Sequence, residues 1–361
     1  MKEYIYKIIF ILFLIPLLAF TNNDKKKYEK SRTINKVFKV NSDAIIGIDN
    51  KYGNINIITW SKNRVEIEVK ITVKGNNLDA VKDKLASIDV EFNATKNRVK
   101  ARTIFTKNTS RWSWFKRSNN TNYQINYYIK MPVSNHVNLE NDYGAISLNK
   151  LEGKATINCD YGKITIGELL NNTNNIELEY CASSTISYMK KGNINIDYSK
   201  LTIEKSERIK INSDYSTINF NEILDLDFNA DYGSVRVDKA QKINGNGDYT
   251  SIKFGTIYKS VQIDTDYGGI KIRNLANNFD FVNITAEYTR IKIGVAPNCN
   301  FNFVVDLSYA GFRYNKEKVD MIKSIVKTSK KYYKGTYGEK KTNSKITIKS
   351  RYGGVSIREN N

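Results

Sequence analysis

The chain has 361 residues, enough for one extended repeat domain or two globular ones. Its 24 tyrosines, 3 prolines and 12% aromatic content suit a strand-rich protein, and one histidine excludes a histidine-based metal cluster. The formal net charge of +20 sits at the ends: residues 51–131 hold 16 Lys+Arg against 6 Asp+Glu and residues 315–361 hold 13 against 4, whereas residues 132–314 hold 19 against 22. That asymmetry is expected either for contact with anionic surfaces or for solubility alone.

Residues 1–20 read as a signal peptide: Lys2 and Lys7 precede an apolar run at 8–20 that is too short for a confident membrane span. A polar, basic leader follows at 21–43. Residues 44–141 are expected to hold a first coil and a small α+β cap or insertion. The coil is carried by Ile46, Ile48, Tyr52, Gly53, Ile55 and Ile57. In the cap, Val65, Ile67, Val69, Ile71 and Val73 alternate as in a strand. Leu78, Val81, Leu85 and Ile88 have helical spacing behind a candidate N-cap, Asn77. Further strands are expected near 89–93, 97–106 and 122–131. Between the last two lies RWSWFKR, where Arg111, Trp112, Trp114, Phe115, Lys116 and Arg117 are either an exposed contact tip for sugars, lipid headgroups or anionic polymers, or a loop folded onto the cap.

Residues 142–314 repeat one phrase: DYGAISL at 142–148, DYGKITI at 160–166, DYSKLTI at 197–203, DYSTINF at 214–220, DYGSVRV at 231–237, DYTSIKF at 248–254 and DYGGIKI at 266–272. From Tyr143 to Tyr309 the tyrosines are spaced by 18, 19, 18, 17, 17, 17, 18, 21 and 21 residues. A near-constant period marks stacked repeats. Apolar residues alternate before each tyrosine, as Ile157 and Cys159 do before Tyr161, and resume three and five residues after it, as Ile164 and Ile166 do. Each period therefore reads as strand, corner, strand and short return, with no room for a crossover helix. By this parity the tyrosines form a buried inward column, and Gly144, Gly162, Gly233 and Gly268 supply positive φ at the corner. Residues 315–361 are expected to be a basic C-terminal coil and cap, with Tyr352 in a last copy of the phrase and one degenerate coil between Tyr309 and Tyr352.

This Asp-Tyr-Gly-x-Ile-x-Ile series, with its leader and β-rich insertion, resembles the bacterial putative-adhesin, β-strand-repeat family over nearly the whole mature chain. The resemblance implies export, a β-solenoid and no demonstrated enzymatic activity. The fold expected is all-β, a parallel β-helix-like solenoid of about ten to twelve coils with the α+β cap near the N-terminus.

Nine acids precede the tyrosines, from Asp142 to Glu287. Stacked about 4.8 Å apart they repel by roughly 0.9 kcal/mol per pair in water. Two features could offset this: bound calcium, or corner chemistry in which each acid accepts the N–H two residues on, the reading preferred here. Cys159, Cys181 and Cys299 are expected as free or buried thiols and His136 as a strand-edge histidine, with no catalytic residue, cofactor or metal site. Four residues after successive tyrosines stand Arg236, Lys253, Lys271, Lys292 and Arg313, outward-facing by parity, where earlier copies have Ser147, Thr165, Thr202 and Asn219. This stripe is either a solvated face or an anion-binding track. The function expected is an exported, non-enzymatic adhesin-like binding or scaffold module at the cell surface, in the periplasm or outside the cell. Expected partners are an anionic polysaccharide, an envelope polymer, a lipid surface or a protein, and not nucleic acid. The alternatives are a β-helix enzyme acting on polysaccharide and a structural envelope protein without a discrete ligand.

Overall fold

The computed structural model describes residues 26–106 and 120–360; the expected signal peptide and the loop Arg111, Trp112, Trp114, Phe115, Lys116 and Arg117 lie outside them. Within the described residues the protein is all-β. Twenty-six strands form one continuous, open sheet, accompanied by a single α-helix. The pairing in the repeat region is parallel and runs one period at a time. Strand Lys200–Asp214 pairs with Thr217–Asp231, bringing Ile203 beside Phe220 and Ile211 beside Phe228, and the next strand, Ser234–Asn246, continues the pattern with Val237 beside Phe220. Alternation buries one face. Ile203, Phe220, Val237, Phe254, Ile272 and Ile293 line up in consecutive registers, each at most 2% exposed. Burying each such side chain contributes about 1.5–3 kcal/mol, so the core is a set of aliphatic and phenylalanine columns.

The tyrosines are not in those columns. Tyr143, Tyr161, Tyr198, Tyr215 and Tyr232 are each about half exposed. Parity fails at the corner because the tyrosine itself takes the left-handed conformation: Tyr52, Tyr143, Tyr161, Tyr180, Tyr198, Tyr215, Tyr232, Tyr249, Tyr267, Tyr288, Tyr309 and Tyr352 all have φ between 48° and 62°. That turn swings the ring outward and sends the next residue inward. The glycines after the tyrosines have ordinary φ and are needed for space. A Cβ on Gly144 would lie 1.8 Å from the Gly53 carbonyl oxygen, and one on Gly162 would lie 1.9 Å from that of Gly144. Where serine or threonine replaces glycine, its hydroxyl donates to a carbonyl two residues back, as Ser216 does to Asp214 (2.8 Å) and Thr250 to Asp248 (2.9 Å).

Stacking order departs from chain order at both ends. Near the N-terminus, Ile45–Lys51 pairs with His136–Asp142 and Ile55–Trp60 with Ala145–Leu151, so the Tyr52 copy lies directly against the Tyr143 copy. On its other side it pairs in parallel with Arg98–Phe105 and Asn122–Pro132. The latter also pairs antiparallel with Arg64–Gly75, which pairs in turn with Tyr28–Lys39, a strand in the stretch read as a polar leader. The helix Leu78–Ser87 packs here through Val81, and Asn77 caps it by accepting the Ala80 N–H at 3.0 Å.

Near the C-terminus, Lys345–Arg351 is inserted between Phe281–Glu287 and Phe301–Ser308, and Val355–Glu359 between Arg290–Val295 and Phe312–Arg313. The Tyr352 copy thus sits between the Tyr288 and Tyr309 copies. No degenerate coil separates Tyr309 from Tyr352. Instead Val319–Val326 and Lys330–Tyr337 form an antiparallel hairpin that pairs with Phe301–Ser308 and covers its open edge.

Candidate functional site

The outward tyrosines form a ladder in the order Tyr52, Tyr143, Tyr161, Tyr180, Tyr198, Tyr215, Tyr232, Tyr249, Tyr267, Tyr288, Tyr352, Tyr309. Neighbouring ring centroids are 4.8–5.2 Å apart and interplanar angles are 2–11°. At about 4.8 Å per step the ladder is on the order of 50 Å long. Stacking occupies the ring faces, so the ladder presents ring edges and hydroxyls to water. It also removes water from the rings and sets phenols beside one another and beside acids, so Tyr161, Tyr198 and Tyr267 ionise above the ordinary tyrosine value. Phe105 and Tyr123 meet Tyr52 edge-on and so continue the aromatic surface at the N-terminal end.

The acids beside the ladder are held differently from the corner chemistry expected of them. From Tyr52 to Tyr267 each ladder tyrosine N–H donates to the carbonyl of the acid in the next copy, as Tyr232 does to Asp248 at 3.0 Å. The backbone N–H of that acid then donates to the carboxylate of the copy before: Asp248 to Asp231 (3.0 Å), Asp266 to Asp248 (3.0 Å) and Glu287 to Asp266 (3.0 Å). The carboxylates of Asp231, Asp248 and Asp266 therefore clamp one copy to the next. Cations close both ends of the column in the same register, with Lys51 2.7 Å from Asp142 and Arg351 2.9 Å from Glu287. The hydrogen bond and charge of Asp142 raise the Lys51 pKa.

Inside the column, loss of solvent and then the neighbouring acids raise the pKa of Asp160 and Asp214. A carboxyl with a raised folded pKa binds its proton more tightly when folded, so its ionisation costs stability as pH rises from the unfolded value through the folded one. Asp214→Asn is therefore expected to raise Tm at pH 7, with the gain shrinking to nothing by about pH 4. Thermal melts of wild type and variant across that range check it; a gain independent of pH would contradict the charge origin.

The expected cation stripe is only partly continuous. Arg236, Lys253, Lys271 and Lys292 are adjacent in register and exposed. Arg313 is exposed but separated from Lys292 by Ser356 of the inserted copy. Arg236 is engaged by Asp238 at 3.3 Å. The C-terminal part of the stripe runs into a groove of about 800 Å³ whose lining includes Lys271, Arg273, Arg290, Lys292, Arg313 and Arg358, with no acid among the described residues that line it. Arg273 and Arg290 stand six and two residues after their tyrosines, positions where neighbouring copies form no cation column. Arg358 joins them only through the insertion, which chain order conceals.

Elsewhere the chemistry is structural. His136 accepts the Lys154 N–H on Nδ1 at 2.8 Å. All three cysteines are buried thiols. Burial pushes Cys299 up to about 11; the hydrogen bond with the Cys181 thiol, and then burial, raise Cys159, whose carbonyl also accepts that thiol at 2.9 Å. Among the described residues no group of three or more His, Cys, Asp or Glu is arranged to hold a metal, and no helix is long and apolar enough to cross a membrane.

No family model and no curated protein matches the sequence. Among solved structures the chain is similar to a putative cell adhesion protein from Clostridium sporogenes (12% identity, TM-score 0.18, covering 92% of this chain and 100% of that one). It is also similar to a putative adhesin from Parabacteroides distasonis (10% identity, TM-score 0.30, 91% and 97% covered) and to a putative lipid binding protein from the same species (11% identity, TM-score 0.27, 93% and 98% covered). The resemblance to adhesins read from the repeats thus has counterparts among solved structures, whose low TM-scores carry nothing further.

Proposed function

We propose that the protein is an exported, non-enzymatic, adhesin-like binding scaffold, built as a β-solenoid of about twelve coils and working at the cell surface, in the periplasm or outside the cell. Parallel pairing one period apart supports the solenoid, and the leader at 1–20 supports export. The observation that carries the binding role is the exposed tyrosine ladder. Left-handed backbone costs an L-residue about 1–2 kcal/mol, which glycine would avoid and asparagine would reduce. The chain nevertheless places tyrosine there in twelve copies and leaves the rings about half exposed. Twelve such rings offer roughly 1,000 Å² of contiguous aromatic surface, more than a surface without partners usually carries. A long, rigid, repetitive face suits an extended ligand better than a small one.

The test is fractionation of the producing cells, followed by a glycan and lipid array probed with the processed protein. Recovery outside the cytoplasm with selective array binding supports the proposal. Cytoplasmic retention, or no binding to any class, overturns it.

A further inference from the structure

The groove at the C-terminal end of the ladder combines three observations. Along its length, Lys271 and Lys292 follow one another in adjacent parallel strands about 4.8 Å apart, Lys253 continues the line outside the groove, and Arg313 lies one copy beyond the Ser356 gap. Arg290 stands beside this line two residues nearer the ladder, while Arg273 and Arg358 stand two residues farther from it. Exposed cations this close repel one another unless an anion lies among them.

The floor supplies the second observation. Gly354 and Gly311 line it, each two residues after a ladder tyrosine on the outward face; Gly269 holds the same position outside the groove, separated from them by Arg290. None has positive φ. A Cβ on Gly269 or Gly311 would meet nothing within 4 Å, and one on Gly354 would meet only the Gly311 carbonyl oxygen at 3.9 Å. Unlike Gly144 or Gly162, these glycines answer to no internal contact, and in a strand they cost stability. Their effect is to bare the backbone between the tyrosines and the cations, which is how glycine admits a ligand close to the chain. The third observation is the margin, where Tyr267, Tyr288, Tyr352 and Tyr309 align hydroxyls able to donate and accept hydrogen bonds.

We infer that this groove binds a linear acidic polysaccharide, its carboxylates or sulfates on the Lys/Arg line, its chain over the glycine floor and its hydroxyls toward the tyrosines. The inference rests on the outer face being a binding surface and names the ligand class for it. A single small anion would need one or two of these cations, not a line of them. A flat bilayer would meet the side-chain tips and would have no use for a cleared floor.

Fluorescently labelled oligogalacturonates of increasing length are the probe, measured by anisotropy against the processed protein. Affinity is expected to rise with length until the groove is spanned and then level off. Lys271→Gln with Lys292→Gln is expected to weaken binding at least tenfold. Gly354→Val with Gly311→Val, which changes no charge and fills open space, is expected to do the same while Tm is unchanged or higher. Unaltered affinity in the glycine pair overturns the groove even if the lysine pair weakens binding. Tighter binding to phosphatidylglycerol vesicles, to single-stranded DNA or to neutral oligosaccharides overturns the ligand class. Array binding without any oligogalacturonate binding would sink this inference while leaving the scaffold proposal intact.

Discussion

Gly162→Val is expected to remove at least about 3 kcal/mol of stability or to prevent folding, as severe overpacking does. The new side chain would begin 1.9 Å from the Gly144 carbonyl oxygen, and backbone cannot move aside without parting two hydrogen-bonded copies. Gly162→Ser is expected to cost less, because Ser199 and Ser216 stand at the same place in later copies and bond their hydroxyls to the carbonyls of Asp197 and Asp214. Chemical denaturation of both variants, read by circular dichroism, checks the ranking. Equal, small effects would mean that the copies are not packed this closely.

The second large effect separates two side chains of one copy. Phe220→Ala is expected to cost about 3–5 kcal/mol, since Phe220 is 1% exposed within a continuous core column. Tyr215→Ala, five residues away, is expected to cost only about 1–2 kcal/mol, the loss of two stacking contacts on a half-exposed ring. Tyr215→Gly should recover part of that loss, because glycine accepts a φ of 49° without a Cβ penalty. If the tyrosine truncation is the costlier of the two, the ring belongs to the core.

Much of this arrangement is legible in the sequence. Alternation before and after each tyrosine locates Ile203, Phe220 and Val237 on the inner face, and the period of 17–21 residues announces the stacking. Asn77 and the spacing of Leu78, Val81 and Leu85 specify the helix. Parity misplaces the tyrosines because it assumes an unbroken extended chain up to the corner, and one left-handed residue reverses it. A glycine after a tyrosine then invites positive φ, whereas its true constraint is a backbone carbonyl of the neighbouring copy. Acid clamping is hidden for the same reason: Asp231 serves the N–H of Asp248, not of its own turn. The groove is the least legible part. Lys253, Lys271 and Lys292 can be read as one column, but the gap at Ser356 and the arrival of Arg358 follow from an insertion that only strand pairing reveals.

Hydroxyl-radical footprinting with mass spectrometry tests the exposed ladder most directly. Tyr143, Tyr161, Tyr198, Tyr215, Tyr232, Tyr249 and Tyr267 are expected to oxidise readily in the native protein, while Tyr127, fully buried with its hydroxyl 2.8 Å from that of Thr103, and Tyr337, 2% exposed, stay protected until unfolding. Protection of the ladder tyrosines at the level of Tyr127 would contradict the account.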